Sequence, residues 1–175
     1  MSSLIKRIYP QPGHLIRRAH QLAWAVFMEE TKGLDVTQIQ YAALVAIADN
    51  PGIDATRLSE LISFDRATIG NVVGRLEARG LLKRNSDAQD RRAKRIFVTR
   101  RGHKTIKRVG RVAPRVGPRI LARLKPADRR QLVQLLRQLV DMAEVERRAS
   151  SALAEQSASV RSRTHKRRKS PRRRI

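Results

Sequence analysis

Residues 57–62 read Arg57-Leu58-Ser59-Glu60-Leu61-Ile62, and residues 65–82 read Asp65-Arg66-Ala67-Thr68-Ile69-Gly70-Asn71-Val72-Val73-Gly74-Arg75-Leu76-Glu77-Ala78-Arg79-Gly80-Leu81-Leu82. A basic segment, Asp90-Arg91-Arg92-Ala93-Lys94-Arg95, and an apolar run, Ile96-Phe97-Val98-Thr99, follow. This order predicts a short helix, a turn, an exposed helix and a two-stranded basic hairpin. In the exposed helix Ile69, Val72, Val73 and Leu76 recur at steps of three and four and form an inward face. Arg66, Thr68, Asn71 and Arg75 point elsewhere, with the short residues Ala67, Gly70 and Gly74 among them. Asn can read adenine, Arg can read guanine, and Thr can touch a thymine methyl or a phosphate. Taken alone, such a segment also fits an ordinary surface helix with stray polar residues. The flanking short helix and basic hairpin favour a helix that lies in a DNA major groove, with the hairpin on the neighbouring backbone or minor groove. A DNA-binding regulator, rather than an enzyme, is expected.

The hairpin tip, Asp87-Ala88-Gln89-Asp90-Arg91-Arg92, is a tight polar loop followed by Lys94 and Arg95. A tip arginine can enter a narrow minor groove, where negative potential concentrates. Asp90 is out of place on a surface that meets phosphates unless it orients a neighbour, so a bidentate pair holding Arg92 extended is expected. The alternative is a solvated ion pair on the loop, worth under about 1 kcal/mol. The expected DNA-contacting set is therefore Arg66, Thr68, Asn71, Arg75, Asp90, Arg91, Arg92 and Lys94.

Composition narrows the class. The formal charge is +24, of which residues 147–175 supply +10. The other +14 resides in the rest of the chain, so basicity is not confined to the tail. Such a surface attracts phosphate and releases counterions on binding. Six of the 175 residues are aromatic, so the core must be aliphatic and mainly helical. There is no cysteine, which removes disulfides and thiolate metal sites. The four histidines have no zinc-ligand spacing, and no cofactor is expected. Asp87 and Asp90, the one close carboxylate pair outside a helical surface, lack a third ligand, which argues against a metal nuclease. No apolar run approaches the roughly 20 residues that span a bilayer, and Met1–Arg7 lacks a secretory apolar region. A cytoplasmic protein, nucleoid-associated when on DNA, is expected.

The rest of the chain organises around that central segment. Residues 1–12 end in Pro10-Gln11-Pro12 and read as an irregular arm. From Gly13 to about Lys32, Leu15, Ile16, Ala19, Leu22, Ala23, Val26 and Phe27 form an amphipathic stripe stopped by Gly33. Thr37 and Gln40 make a capping-box pair for a helix to about Asp49. The next helices cover about 55–62 and, capped by Asp65, 66–79 with Gly80 as the stop. Strands are expected at 81–84 and 93–98, and Thr99 caps a long helix. Pro114, Gly117 and Pro118 predict a break in it near 114–118. Pro126 opens a last helix to about residue 148. Low hydrophobicity and high charge predict disorder beyond. The fold class is mainly α with a small β-hairpin: a dimerisation segment (1–36), a winged helix-turn-helix lobe (37–99), C-terminal dimerisation helices (100–148) and a basic tail (149–175).

The pattern Leu58-Ser59-Glu60-Leu61, Thr68 to Arg84, Asp90-Arg91-Arg92 and Val98-Thr99-Arg100-Arg101-Gly102 resembles the MarR (multiple antibiotic resistance regulator) family of bacterial winged-helix transcription factors over residues 13–148. The resemblance implies a homodimer with intertwined first and last helices, a recognition helix in each of two adjacent major grooves, and wings in the flanking minor grooves. It also implies that the arginine at Arg92 enters the minor groove, steadied by Asp90. The extended basic tail lies outside the pattern. Independently, the first and last helices carry more apolar surface than the winged core can cover, which favours dimerisation over packing within a monomer. Two-fold symmetry would set recognition helices about 34–36 Å apart on a roughly palindromic operator.

A ligand site is a further expectation. His14, Arg17, Arg18, His20 and Trp24 share the first long helix, with Tyr41 and Leu44 on the next. An aromatic wall beside cations suits a small aromatic carboxylate, stacked on Trp24 and paired with Arg17 or Arg18. The plainer reading makes Trp24 and His20 dimer-core or boundary residues. The basic tail either tracks phosphates non-specifically or is solvated and dispensable, and the first is favoured. The expected function is thus a homodimeric, sequence-specific repressor of double-stranded DNA, released by a small aromatic acid. The alternative is an architectural nucleoid protein with little sequence preference.

Overall fold

In a computed structural model, residues 3–86, 94–142 and 145 are described. They divide between Ala122 and Arg123 into two units. The first holds helices α1 (Ser3–Ile8), α2 (Pro12–Glu30), α3 (Gln38–Asp49), α4 (Ala55–Leu61) and α5 (Arg66–Ala78), then strands β1 (Leu82–Ser86) and β2 (Lys94–Val98). Helix α6 (Arg100–Val112), a 3-10 turn (Ala113–Arg115) and α7 (Val116–Ile120) complete it. Among the described residues of the second unit, α8 covers residues 126–142.

Each boundary has a local cause. Thr37 and Gln40 form a reciprocal capping box on α3: the Thr37 N–H donates to Gln40 Oε1 at 3.1 Å and the Gln40 N–H to Thr37 Oγ1 at 3.4 Å. Asp54 caps α4 by accepting the Arg57 N–H at 2.9 Å, and Asp65 caps α5. Gly80 ends α5 with φ of +68°, a left-handed conformation that glycine adopts without strain. The proline-rich stretch breaks the helix at Ala113, and Pro114 occupies the first turn of the 3-10 segment, where no N–H is needed. Residues 1–12 depart from the expected irregular arm, because Ser3–Ile8 form a helical turn and a half. Residues 3–8 contain no helix breaker, and the helix stops one residue short of Tyr9, which Pro10 biases away from helical geometry.

The winged lobe closes around one aliphatic core. Leu44, Ile47, Leu58, Ile69, Leu76 and Ile96 are fully buried in it. The antiparallel hairpin pairs Leu82 with Val98 and Arg84 with Ile96. A short bridge between Ile53 and Ile96 adds a third edge, with the Gly52 N–H donating to the Ile96 carbonyl at 2.9 Å. The architecture is a winged helix-turn-helix, mainly helical with a two-stranded wing. A smaller cluster of Phe27, Val36 and Val109 ties α2 and α6 to it.

The base of the wing is tightly built. The Thr99 hydroxyl donates to the Gly80 carbonyl at 2.7 Å and accepts the Gly102 N–H at 3.1 Å. One side chain thereby caps α6 and anchors the α5–β1 turn. Gly102 is buried there, and an ideal Cβ on it would sit 2.2 Å from the Leu81 carbonyl oxygen. The end of the expected last helix and the basic tail (149–175) lie outside the described residues.

Candidate nucleic-acid interface

Helix α5 buries Ile69, Val72, Val73 and Leu76 and turns its other side to solvent. Arg66, Gly70, Asn71 and Arg75 are exposed there, and the three polar side chains have no partner among the described residues. They are free to meet base edges. Thr68 stands differently. It is half-buried, its N–H donates to Asp65 Oδ1 at 2.8 Å, and its hydroxyl donates to the other carboxylate oxygen. The Thr68 proton is therefore spent on the cap, which leaves its methyl and lone pairs for a ligand. The hydroxyl hydrogen bond, followed by the backbone one, holds the Asp65 carboxyl below the ordinary aspartate value.

Of the expected wing residues, Asp90, Arg91 and Arg92 lie outside the described residues. Lys94 opens β2, is exposed, and donates from Nζ to Ser86 Oγ across the strands at 2.9 Å. Two cations outside the expected DNA-contacting set, Arg84 and Arg95, stand beside it. Arg84 on β1 donates from Nε to Glu77 Oε2 at 2.7 Å and pairs with the same oxygen through Nη2. That pair lowers the Glu77 pKa and raises that of Arg84. Arg95 donates from Nη1 to the Gly52 carbonyl at 3.3 Å. Only the strand register brings them next to α5, so no local spacing in the sequence marks them.

The expected ligand residues do not converge within one chain. Arg17, Arg18, His20 and Trp24 are exposed on α2, Trp24 to 50%. His14 is half-buried and meets Tyr9 edge-on at 5.1 Å, with Arg18 at 5.9 Å over the same Tyr9 ring. Tyr41 instead lines a cavity of about 740 Å³ with Phe27, Val45, Leu61, Val116 and Ile120. Among the described residues no Lys, Arg or His lines that cavity, and none of the α2 set reaches it. Leu44 is fully buried in the winged core, on the α3 face opposite the cavity-lining Ala42 and Val45.

Two ionic struts brace the scaffold. Arg79, at the end of α5, reaches Asp35 at 2.7 Å, and Arg119 on α7 bridges Glu29 at 2.6 Å and Glu30 at 2.7 Å at the end of α2. Among the described residues no group of three His, Cys, Asp or Glu side chains could hold a metal, and no helix is long and apolar enough to cross a membrane.

An exposed polar helix face beside a basic two-stranded wing is an arrangement for duplex DNA, and comparison with known proteins agrees. Residues 34–93 match the MarR family. The transcriptional regulator HosA of Escherichia coli O157:H7 is 33% identical over 128 residues, 73% of this chain and 93% of HosA. The chain belongs to the MarR family. It is a MarR-family DNA-binding transcriptional regulator, not an enzyme. The HTH-type transcriptional repressor NicR of Pseudomonas putida is 30% identical over 134 residues, 77% of this chain and 85% of NicR. The solved structure of Bordetella bronchiseptica BpsR, whose DNA binding is regulated by 6-hydroxynicotinic acid, superposes with a TM-score of 0.69. It is 31% identical and covers 76% of this chain and 95% of its own.

Proposed function

We propose that this MarR-family chain acts as a homodimeric repressor on a pseudo-palindromic operator. The observation that carries the reading is α5: four apolar residues lock it to the core while Arg66, Asn71 and Arg75 stand exposed and unengaged among the described residues. Asn71 and Arg75 read bases from the major groove. Arg66 and Lys94 meet the backbone, Thr68 adds a methyl contact, and the Asp90–Arg91–Arg92 tip reaches the minor groove. Dimerisation is supported by apolar surface left uncovered in the single chain. On α2, Leu15, Ile16, Leu22 and Trp24 are each at least 50% exposed, and on α8 Leu135, Leu139, Val140 and Met142 are exposed by 54% or more. A second copy is the partner that gives two recognition helices the two-fold spacing of adjacent major grooves, about 34–36 Å. Repression is supported by the relative NicR, a transcriptional repressor, and follows physically when a dimer occupies promoter DNA.

We also propose release by a small aromatic acid, supported by the regulation of BpsR by 6-hydroxynicotinic acid. The cavity beside Tyr41 has no cation on its walls among the described residues, and a carboxylate buried there would lack a partner among them. The acid belongs instead on the α2 face, where Arg17, Arg18 and His20 supply charge and Trp24 an aromatic surface, with His14 on the same helix and Tyr41 apart from them on the cavity wall. A second copy closes that face. Release requires that the acid bind more tightly to a dimer whose recognition helices are misplaced for DNA. Footprinting tests the main reading: a protected palindrome of one to two turns supports it. Length-dependent coating of any duplex, which the charge of +24 also permits, would replace it with an architectural role.

A further inference from the structure

A cavity of about 390 Å³ opens between the start of α4, the outer side of α5 and the hairpin. Among the described residues four cations line it: Arg66 from α5, Arg84 from β1, and Lys94 and Arg95 from β2. The floor is Gly70, Val73 and Ile96, and the far wall is Asp54–Thr56. The strand pairing explains the concentration of charge. Leu82 and Ile96 put their side chains into the core, and the next residues on that same face of the hairpin are Arg84 and Lys94. The hairpin extends past the edge of the aliphatic core, and the inward face carries cations where the core ends.

Three further observations describe a seat rather than a crowded corner. Arg84 is held by Glu77 through Nε and Nη2, which leaves Nη1 unengaged among the described residues. Lys94 uses its ammonium on Ser86, and an ammonium has two more protons to donate. Gly70 lies in the floor, and a Cβ built on it meets nothing within 4 Å. Glycine in a helix interior costs about 1 kcal/mol relative to alanine. No contact within the described residues requires it, so the space above it is what a side chain would remove.

We propose that this notch seats one phosphate of the DNA backbone, on the strand segment that passes from the major groove under α5 to the minor groove under the wing. Arg84, Arg66 and Lys94 bind the phosphate oxygens. Glu77 is a positioning residue that holds the Arg84 guanidinium across the α5–β1 junction. The bound phosphate fixes the angle between recognition helix and wing, so base readers and minor-groove residues engage in one register. The inference rests on the proposed placement of α5 in the major groove.

The test uses full-length protein and two duplexes: one of mixed sequence, and one recovered by selection from a random library. On the mixed duplex, Arg84→Gln removes one phosphate contact per chain. In a homodimer the slope of log K against log salt then falls by about 1.8, so the loss of affinity between 50 and 200 mM salt is about 12-fold smaller than for wild type. Glu77→Gln breaks the same α5–β1 pair but keeps the cation, and leaves the slope unchanged. A purely structural role for the pair predicts equal effects from the two substitutions. On the selected duplex, single methylphosphonate substitutions identify one sensitive phosphate per half-site between the two grooves, and Arg84→Gln is insensitive there. The notch is overturned if Arg84→Gln retains the wild-type slope, if Glu77→Gln lowers it equally, or if Arg84→Gln alters sequence preference instead. Failure of selection to yield a palindrome would count against the operator reading, while the slope on mixed DNA still decides the notch.

Discussion

Replacing Gly102 by alanine sets two physical effects against each other with opposite signs. Gly102 is the third residue of α6, and helix propensity alone predicts that alanine stabilises by up to about 1 kcal/mol. Packing predicts the reverse. The new Cβ would lie 2.2 Å from the Leu81 carbonyl oxygen and 2.6 Å from Val98 Cγ1, and the nearer of these is backbone that cannot rotate away. The Leu81 carbonyl also accepts the Thr99 N–H at 3.0 Å, so moving it weakens the hydrogen bond that seats the wing. Overpacking of this kind costs about 1–3 kcal/mol, and a strained hydrogen bond adds about 1 kcal/mol. The net expectation is a loss of about 1–3 kcal/mol. Urea unfolding followed by circular dichroism at one fixed protein concentration measures it, since the proposed dimer would make apparent stability depend on concentration. Gly74→Ala is the matched control: it lies in a helix with nothing within 4 Å of its Cβ and should gain stability. A Gly102→Ala protein as stable as wild type would refute the packing argument, because propensity would then have prevailed over a contact that real Cβ atoms do not make.

Other outcomes are expected. Asn71→Ala and Arg75→Ala should each lower operator affinity by about 1–3 kcal/mol and relax base preference at one position per half-site; an even loss across all sequences would make them backbone contacts. Arg92→Ala should cost a similar amount, about 1–3 kcal/mol, without unfolding the protein, and an effect below a few tenths removes the wing tip from the mechanism. The Glu77 pKa is depressed, chiefly by its hydrogen bond from Arg84. Its contribution to stability is thus complete above the ordinary glutamate range near about 4.3 and is lost as pH falls through the lower folded value. Glu77→Gln should flatten that acid limb in pH-dependent unfolding, and an unchanged limb refutes the coupling. Truncation after residue 148 should weaken DNA binding and reduce its salt slope while leaving sequence preference intact.

Much of the scaffold was legible because its signals are local. The Thr37–Gln40 box, the Asp65 cap, the Gly80 stop and the proline break near 114 each act within one helical turn. The apolar face of α5 is likewise a repeat of three and four residues, so its exposed counterpart could be read off directly. The first turn at Ser3–Ile8 was missed because the nearby prolines masked a segment free of breakers. The burial of Leu44 was not legible, because one apolar helix, α3, serves the winged core on one side and a cavity on the other.

What the sequence determined by itself is the order of elements, their ends, and which side of the recognition helix avoids the core, since capping, helix termination and periodicity depend on residues a few positions apart. Tertiary structure alone decided that Arg66, Arg84, Lys94 and Arg95 share one notch and that Gly102 has no room for a methyl group. Both follow from strand register and from the packing of α6 on the wing base, which join residues as distant in sequence as Arg66 and Arg95, and no local pattern encodes a distance across a folded chain.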